Sequence, residues 1–463
     1  MNLRKWDRAD TVGLLCIAVG LGANFLVLQK LVSPTGQMHT LVYKIAITAF
    51  DLLAVATGVF LFRRDRVKLR KDKRRALAFS LSLVLSLVAL ELFLRLYDDY
   101  FRPQPPHAGF LQANPHGTGS FRLMPNTEKE LLLMGRKSVV RINSLGLHGP
   151  EVRREPDPGR PRVAFAGDSF TFGSFASDYE KTFVSVFQRK VKPSIEALNF
   201  GVFGYGVDDI RLYLSEEILS FHPDYLVVVI YAGNDFSDTY LGLNKRIINP
   251  DGTLVWNEAL LAEKIPPEWR HKESAAGPPK NNRLGLRLIE GLESLRVANL
   301  LMDLTFRWNQ RFIEKSDFTR FRVHDDFQSA TFWSRKDYPP IAREAVAAVL
   351  DELARIQAIC NEHGIVLALA ALPSKEQVYT KQPVGADYDI AYPQKFLADF
   401  AAERRIPYLD LQPILRRAYH EEGKSPFMNN DSHFNDTGHR LVGKALVRFF
   451  LEAVQPSRQQ PLP

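Results

Sequence analysis

The sequence predicts an α/β fold: a parallel sheet with helices on both faces, a three-layer α/β/α domain carried behind a membrane anchor. Three observations lead there. From Arg162 onward, unbroken apolar runs recur as RVAFAG (162–167), IEALNFG (195–201), DYLVVVIYAG (224–233), GIVLALAAL (364–372) and IPYLDL (406–411). Between and after them lie segments that read as helices, roughly 180–190, 207–220, 340–361, 391–404 and 437–454. Strands buried on both faces lose the polar alternation of half-exposed ones, and parallel neighbours need helical crossovers. The third observation is a set of three long apolar stretches in the first hundred residues, at about 11–29, 41–62 and 76–97.

Each of those stretches approaches the roughly 20 residues that cross a bilayer as a helix. The first follows Arg4, Lys5 and Arg8, as a signal peptide would. Its apolar run is too long for one and no small-residue cleavage site follows, so it reads as a retained helix. The second contains Lys44 and Asp51, the third Glu91 and Arg95. Asp51 reads as a helix–helix contact within the bilayer rather than part of a transport path. Lys44 is placed to snorkel to the outer interface, and Glu91 and Arg95 have the spacing of an i,i+4 pair.

Of 463 residues, 46% are apolar and 24% charged, a composition that excludes wholesale disorder. Cys16 and Cys360 are the only cysteines, too few for a disulfide framework or a cysteine-rich metal site. The net charge of +8 invites a nucleic-acid reading, but its location removes it. Residues 63–75 (RRDRVKLRKDKRR) carry a net +7 and residues 1–10 a net +1, which accounts for the whole excess. A nucleic-acid binder carries its basic excess on the functional domain. Here it flanks apolar helices, where positive loops stay cytoplasmic. The 63–75 loop and the N-terminus are therefore expected in the cytoplasm. Everything after Asp98 is expected outside it, so that the protein is a multi-pass component of the cytoplasmic membrane.

Residues 101–160 are rich in Pro, Gly and Asn (PQPPH, NPHGTG, NSLGLHGP) and read as short strands and turns. Beyond them, the chemistry-bearing motifs fall at the carboxyl ends of successive strands, where parallel α/β sheets bind ligands. The first strand ends in Gly167-Asp168-Ser169-Phe170, a turn that would project the serine out of the sheet. The second ends in Asn199-Phe200-Gly201-Val202-Phe203-Gly204, whose glycines permit the close approach an N–H donor to an oxyanion needs. The third ends in Gly233-Asn234-Asp235, offering a side-chain amide. Before the last helix stands Asn430-Asp431-Ser432-His433-Phe434-Asn435. A carboxylate two residues from a histidine can orient its ring and stabilise the imidazolium. Asn435 or Thr437 is expected to cap the helix, and His439 to serve packing or capping. His433 and His439 are six apart, off one helical face, and no HExxH motif occurs, so neither a metal nor a cofactor is expected.

These four pieces, in this order, resemble the GDSL or SGNH hydrolase superfamily over about residues 160–455. The resemblance implies Ser169 as nucleophile, His433 as base, and Gly204 and Asn234 as oxyanion donors with the Ser169 N–H. Gly201 is a competing match to the glycine. Many members place the acid three residues before the histidine; here that residue is Asn430, so Asp431 takes the role. The D-x-H spacing and the segment Leu372-Pro373-Ser374-Lys375-Glu376-Gln377-Val378-Tyr379 are similar to the alginate acetyltransferase-like branch. The implied organisation is an anchor over 1–98, an extracytoplasmic connector over 99–160, and a catalytic domain over 161–457 interrupted by an insertion at about 236–339.

The implied activity is ester hydrolysis or O-acyl transfer through an acyl-serine, acting on a small ester or on acetyl groups of an envelope or exopolysaccharide glycan. For the transferase, the resemblance implies a membrane-bound partner that supplies acyl groups. The other class of reading is a catalytically silent glycan-binding scaffold, against which the intact Ser169, Asn234 and His433 stand. The insertion holds Trp256, Trp269, Trp308 and Trp333, four of the five tryptophans. They read either as a lid with sugar-facing rings or as the lid's own core, the latter for at least two of them. Residues 286–313 look helical, but carry too many charges to span a membrane.

Overall fold

The computed structural model describes residues 109–117, 120–133, 136–249, 254–270, 326–380, 387–428 and 431–458, together with the single positions Leu14 and Val55. The expected membrane helices (those two positions aside), Trp308, the 286–313 segment and Asn430 lie outside the described residues. Among the described residues no helix is long and apolar enough to cross a membrane.

The first two strand pairs are β1 (Leu111–Ala113), antiparallel to β2 (Phe121–Leu123), and β3 (Thr127–Leu133), which pairs with β4 (Arg136–Ile142). The central sheet then takes β5 (Arg162–Gly167), β6 (Glu196–Gly201), β7 (Tyr225–Tyr231), β10 (Val366–Leu372) and β11 (Tyr408–Asp410). Between β7 and β10 a small hairpin joins β8 (Arg246–Ile248) to β9 (Leu254–Trp256). The five sheet strands are parallel, in the spatial order β11–β10–β7–β5–β6. Numbered along the chain, that is 2-1-3-4-5, and the winding reverses between β5 and β7. Such a switch point opens a crevice beyond the carboxyl ends of the two strands.

The helices are α1 (Ser169–Phe172), α2 (Phe183–Val191), α3 (Val207–Glu216), α4 (Asp235–Leu241), α5 (Glu258–Lys264), α6 (Pro340–Glu362), α7 (Lys375–Tyr379), α8 (Gln394–Glu403), α9 (Gln412–His420) and α10 (Asp436–Phe449). Because side chains alternate across a strand, each sheet face builds its own core. Ala164, Leu226, Val228 and Leu369 share one with Ile210 and Leu214 of α3 and Val349 and Leu353 of α6. Val163, Phe165, Val227 and Val229 share the other with Phe183 and Phe187 of α2 and Val442 and Leu446 of α10. Both faces are covered, which is why the strands read as unbroken apolar runs.

Two expectations change. The 101–160 segment is more than a connector, since Phe110, Leu111, Phe121 and Val140 are buried in the α3/α6-side core. Its polar turns masked that contribution. The described flanks of the insertion likewise belong to this core: Trp333 is fully buried and Trp269 packs against it. Helices α1, α4, α5, α7 and α9 went unread, being too short or too polar to show a clear period.

Candidate active site

The turn after β5 is built by Asp168. Its side chain accepts the Phe170 N–H at 2.9 Å and caps α1, so the helix starts directly at Ser169. A cap at this position satisfies an N–H the helix cannot. Asp168 is almost wholly buried, and burial lifts its pKa to about 6 against the pull of His433 and the Phe170 N–H. Ser169 itself is half-buried, with its Oγ 2.7 Å from His433 Nε2.

His433 is held from both sides. Its Nδ1 lies 2.5 Å from Asp431 Oδ1, and the same oxygen accepts the His433 backbone N–H at 2.8 Å. Burial alone would raise the Asp431 pKa; the hydrogen bond and charge of His433 outweigh it and leave the carboxyl below its ordinary value. The ring stacks on Phe170, centroids 4.7 Å apart. Asn435 caps α10 through the N–H groups of Thr437 and Gly438, and its amide donates to Ser425 and Phe427 carbonyls. Asp436 accepts both the N–H and the hydroxyl of Ser177, tying the histidine loop to the loop that follows the serine. The Ser374–Gln377 stretch forms a capping box on α7, from which Lys375 donates to the Met428 carbonyl at 2.9 Å. The segment noted for its resemblance thus braces the loop that carries His433.

The two glycines separate cleanly. The Gly201 N–H is taken by Asn199 Oδ1 at 2.9 Å, and a Cβ on Gly201 would lie 2.0 Å from the Phe172 nitrogen. It is there for close packing on α1. Gly204 has a left-handed φ of +66° and lines the same cavity as Ser169 and His433. Its loop is pinned by neighbours: Arg122 of β2 reaches the Tyr205 hydroxyl at 2.6 Å, and Asp209 accepts the Gly206 N–H at 3.0 Å. Asp209 in turn pairs with buried Lys245, whose pKa is raised because Asp208 and Asp209 outweigh its burial. Asn234 stands at the start of α4, lines the cavity, and donates through Nδ2 to Asp238 Oδ2 at 2.8 Å.

The cavity has a volume of about 540 Å³, within the range of small-ligand sites. Five of the residues singled out in the sequence meet there: Ser169, Gly204, Asn234, Asp431 and His433. His439 does not; it is fully buried, with Nε2 3.4 Å from the Ser174 carbonyl. The three described tryptophans all pack in or against the core, and Trp256 also lines the cavity. Sequence reasoning missed Arg246, whose guanidinium stacks 3.9 Å from the Trp256 ring, and a place in the cavity wall for Glu376, in the first turn of α7. It also missed His148, from NSLGLHGP, which donates to the Phe172 carbonyl at the end of α1 at 2.7 Å. No local pattern marks Arg246; the left-over polarity of NSLGLHGP was the one usable signal for His148. Among the described residues no cluster of His, Cys, Asp and Glu could hold a metal.

Residues 331–461 match the family described as SGNH hydrolase-like domain, acetyltransferase AlgX. The matched stretch carries Asp431 and His433 but not Ser169. No curated protein matches the chain. Solved structures similar to it include a G-D-S-L family protein from Desulfitobacterium hafniense DCB-2 (14% identity, 63% of this chain and 99% of that one, TM-score 0.32). Others are the acetyl xylan esterase AlAXEase (15%, 62% and 97%, 0.31) and a catalytic mutant of the acetylxylan esterase Axe2 from Geobacillus stearothermophilus (12%, 62% and 93%, 0.32). At this level of superposition the likenesses add nothing to the sheet order and site geometry described above. The family match supports an SGNH-type hydrolase domain.

Proposed function

We propose that this protein is a membrane-anchored SGNH-type enzyme that cleaves or transfers acetyl esters of an envelope or exopolysaccharide glycan through an acyl-serine. The observation that carries the reading is the hydrogen-bonded line Ser169 Oγ–His433 Nε2 and His433 Nδ1–Asp431 Oδ1, set at the switch point of a parallel sheet. The family match supports an ester-acting hydrolase or acetyltransferase.

In this mechanism neutral His433 takes the Ser169 proton as Oγ attacks the ester carbonyl carbon. Asp431 keeps the ring in the tautomer that presents Nε2 to the serine and stabilises the imidazolium. The oxyanion is met by the N–H groups of Ser169 and Gly204 and by the Asn234 amide. Removing one such donor costs about 3 kcal/mol in the transition state. His433 then returns the proton to the departing alkoxide, leaving acetyl-serine. Water or a sugar hydroxyl, deprotonated by the same imidazole, attacks next, giving acetate or a new ester. The net +7 loop at 63–75 supports an extracytoplasmic site, where a membrane-bound acyl donor and a glycan acceptor would meet.

The test is to incubate the detergent-solubilised full chain with an aryl acetate, with and without an oligosaccharide acceptor. Acetate release alone identifies an esterase; acetylated oligosaccharide formed at the expense of acetate identifies a transferase. No turnover of the aryl acetate in either mixture, or turnover undiminished in Ser169→Ala, would overturn the proposal.

A further inference from the structure

A side-chain amide can serve an oxyanion only through its NH₂ end, yet its two ends are nearly alike in shape. Something must therefore fix which end Asn234 presents. Its Oδ1 is buried without a hydrogen-bond partner, so it gives neither orientation an advantage. Its Nδ2 donates at 2.8 Å to Asp238 Oδ2, one helical turn along α4. Asp238 is wholly buried, and the same oxygen lies 3.6 Å from Arg246 Nη2. Burial raises the Asp238 pKa, and the charges of Arg246 and Lys245 oppose it, favouring the acceptor-only carboxylate. Arg246 also stacks on Trp256 and abuts Gly204, where a built Cβ would come within 2.7 Å of Arg246 Nε.

From this arrangement we infer that Asp238 is the positioning residue of the oxyanion site, orienting the Asn234 amide directly and backing the Gly204 loop through Arg246. An ionised carboxylate accepts and never donates, so it draws the NH₂ end to itself with one N–H and leaves the other for the oxyanion. A flipped amide would set Oδ1 against the carboxylate and lose the bond. Asp238 touches no reacting atom; it acts through Asn234 and Arg246. This inference rests on the reading of Ser169, Gly204 and Asn234 as an ester-processing site.

The experiment is a double-mutant cycle on aryl acetate hydrolysis by the full chain. Asp238→Asn offers an amide that can donate or accept, selecting neither orientation of Asn234. It should lower kcat by about 100-fold, the worth of one oxyanion donor, with KM within about twofold. Asn234→Ala should do the same. In the Asn234→Ala background, Asp238→Asn should cost well under the roughly 100-fold it costs in wild type, because the amide it orients is gone and only its support of Gly204 through Arg246 is left to lose. A residue that merely holds the fold together would instead lower both backgrounds by equal factors and depress the melting temperature. Should Asp238→Asn fail to fold, Asp238→Ser removes the charge without adding bulk and carries the same expectation. Independent, multiplying effects, or an unchanged kcat in the folded variant, overturn the inference. Ser169→Ala is the control: if it abolishes turnover while the Asp238 variants stay active, only this inference falls. If Ser169→Ala stays active, the reading of the site falls with it.

Discussion

Gly204→Ala tests whether the second strand's loop supplies an oxyanion donor. At φ +66° an alanine is strained by about 1–2 kcal/mol. The new Cβ would stand 2.7 Å from Arg246 Nε, 2.9 Å from Cδ and 3.0 Å from Cζ, closer than side chains tolerate. Arg246 cannot swing away freely, being stacked on Trp256 and paired with Asp238. The loop must therefore rotate, and the Gly204 N–H loses its aim. Losing one donor is worth about 3 kcal/mol, or roughly 100-fold in kcat at about 1.4 kcal/mol per tenfold. The strain alone should lower the melting temperature by a few degrees. Steady-state hydrolysis of an aryl acetate and a thermal melt separate the two effects, with KM expected to change little. Gly201→Ala is the counterpart: its Cβ would meet backbone of α1 at 2.0 Å, so stability should collapse first. A Gly204→Ala enzyme with wild-type kcat would remove Gly204 from the oxyanion hole and send the search to another donor.

Ser169→Ala and His433→Ala should each cut hydrolysis by several orders of magnitude in aryl acetate assays. Asp431→Asn should approach them because the tautomer is no longer held, whereas Asn430→Ala should cost little; the reverse pattern would move the acid one residue back. His439 titrates at about 4 in the fold instead of its ordinary 6.5, because burial outweighs its bond to the Ser174 carbonyl. Between those values the unfolded chain binds the extra proton, so this residue removes stability as pH falls from 6.5 to 4 and is neutral above. His439→Gln should therefore gain about 3 kcal/mol on wild type between pH 7.5 and 4 in urea unfolding; a constant difference across that range would refute the assignment. Comparing the two proteins at each pH cancels the opposing titration of Asp168, which burial shifts up to about 6. For topology, a reporter active only outside the cytoplasm should work when fused after Asp98 and fail near Lys71, and the opposite pattern would place the site in the cytoplasm.

How legible each part was in the sequence follows from the range of the physics behind it. The strands showed because both faces are buried, which leaves runs such as LVVVI without a polar interruption. Asp431 and His433 showed because their relation is local: a two-residue spacing lets one carboxylate oxygen take both the backbone and the ring N–H. The glycine was ambiguous for a reason the structure supplies. Gly201 and Gly204 are both required, one by the closeness of α1 and the other by its φ, and a motif cannot tell packing from backbone geometry. Arg246 was illegible because the three-residue strands of its hairpin are too short to leave a pattern, and its partners Trp256 and Asp238 come from different elements. Asp238 sat in plain view four residues after Asn234, but that spacing has meaning only if the intervening residues form a helix, and α4 is just seven residues long. A motif can therefore name a donor, while the direction in which the donor points is written in buried partners that tertiary structure alone brings together. Motif-intact sequences of this kind that lack an acid at the position of Asp238, or its equivalent in space, should accordingly keep the nucleophile and lose much of the rate.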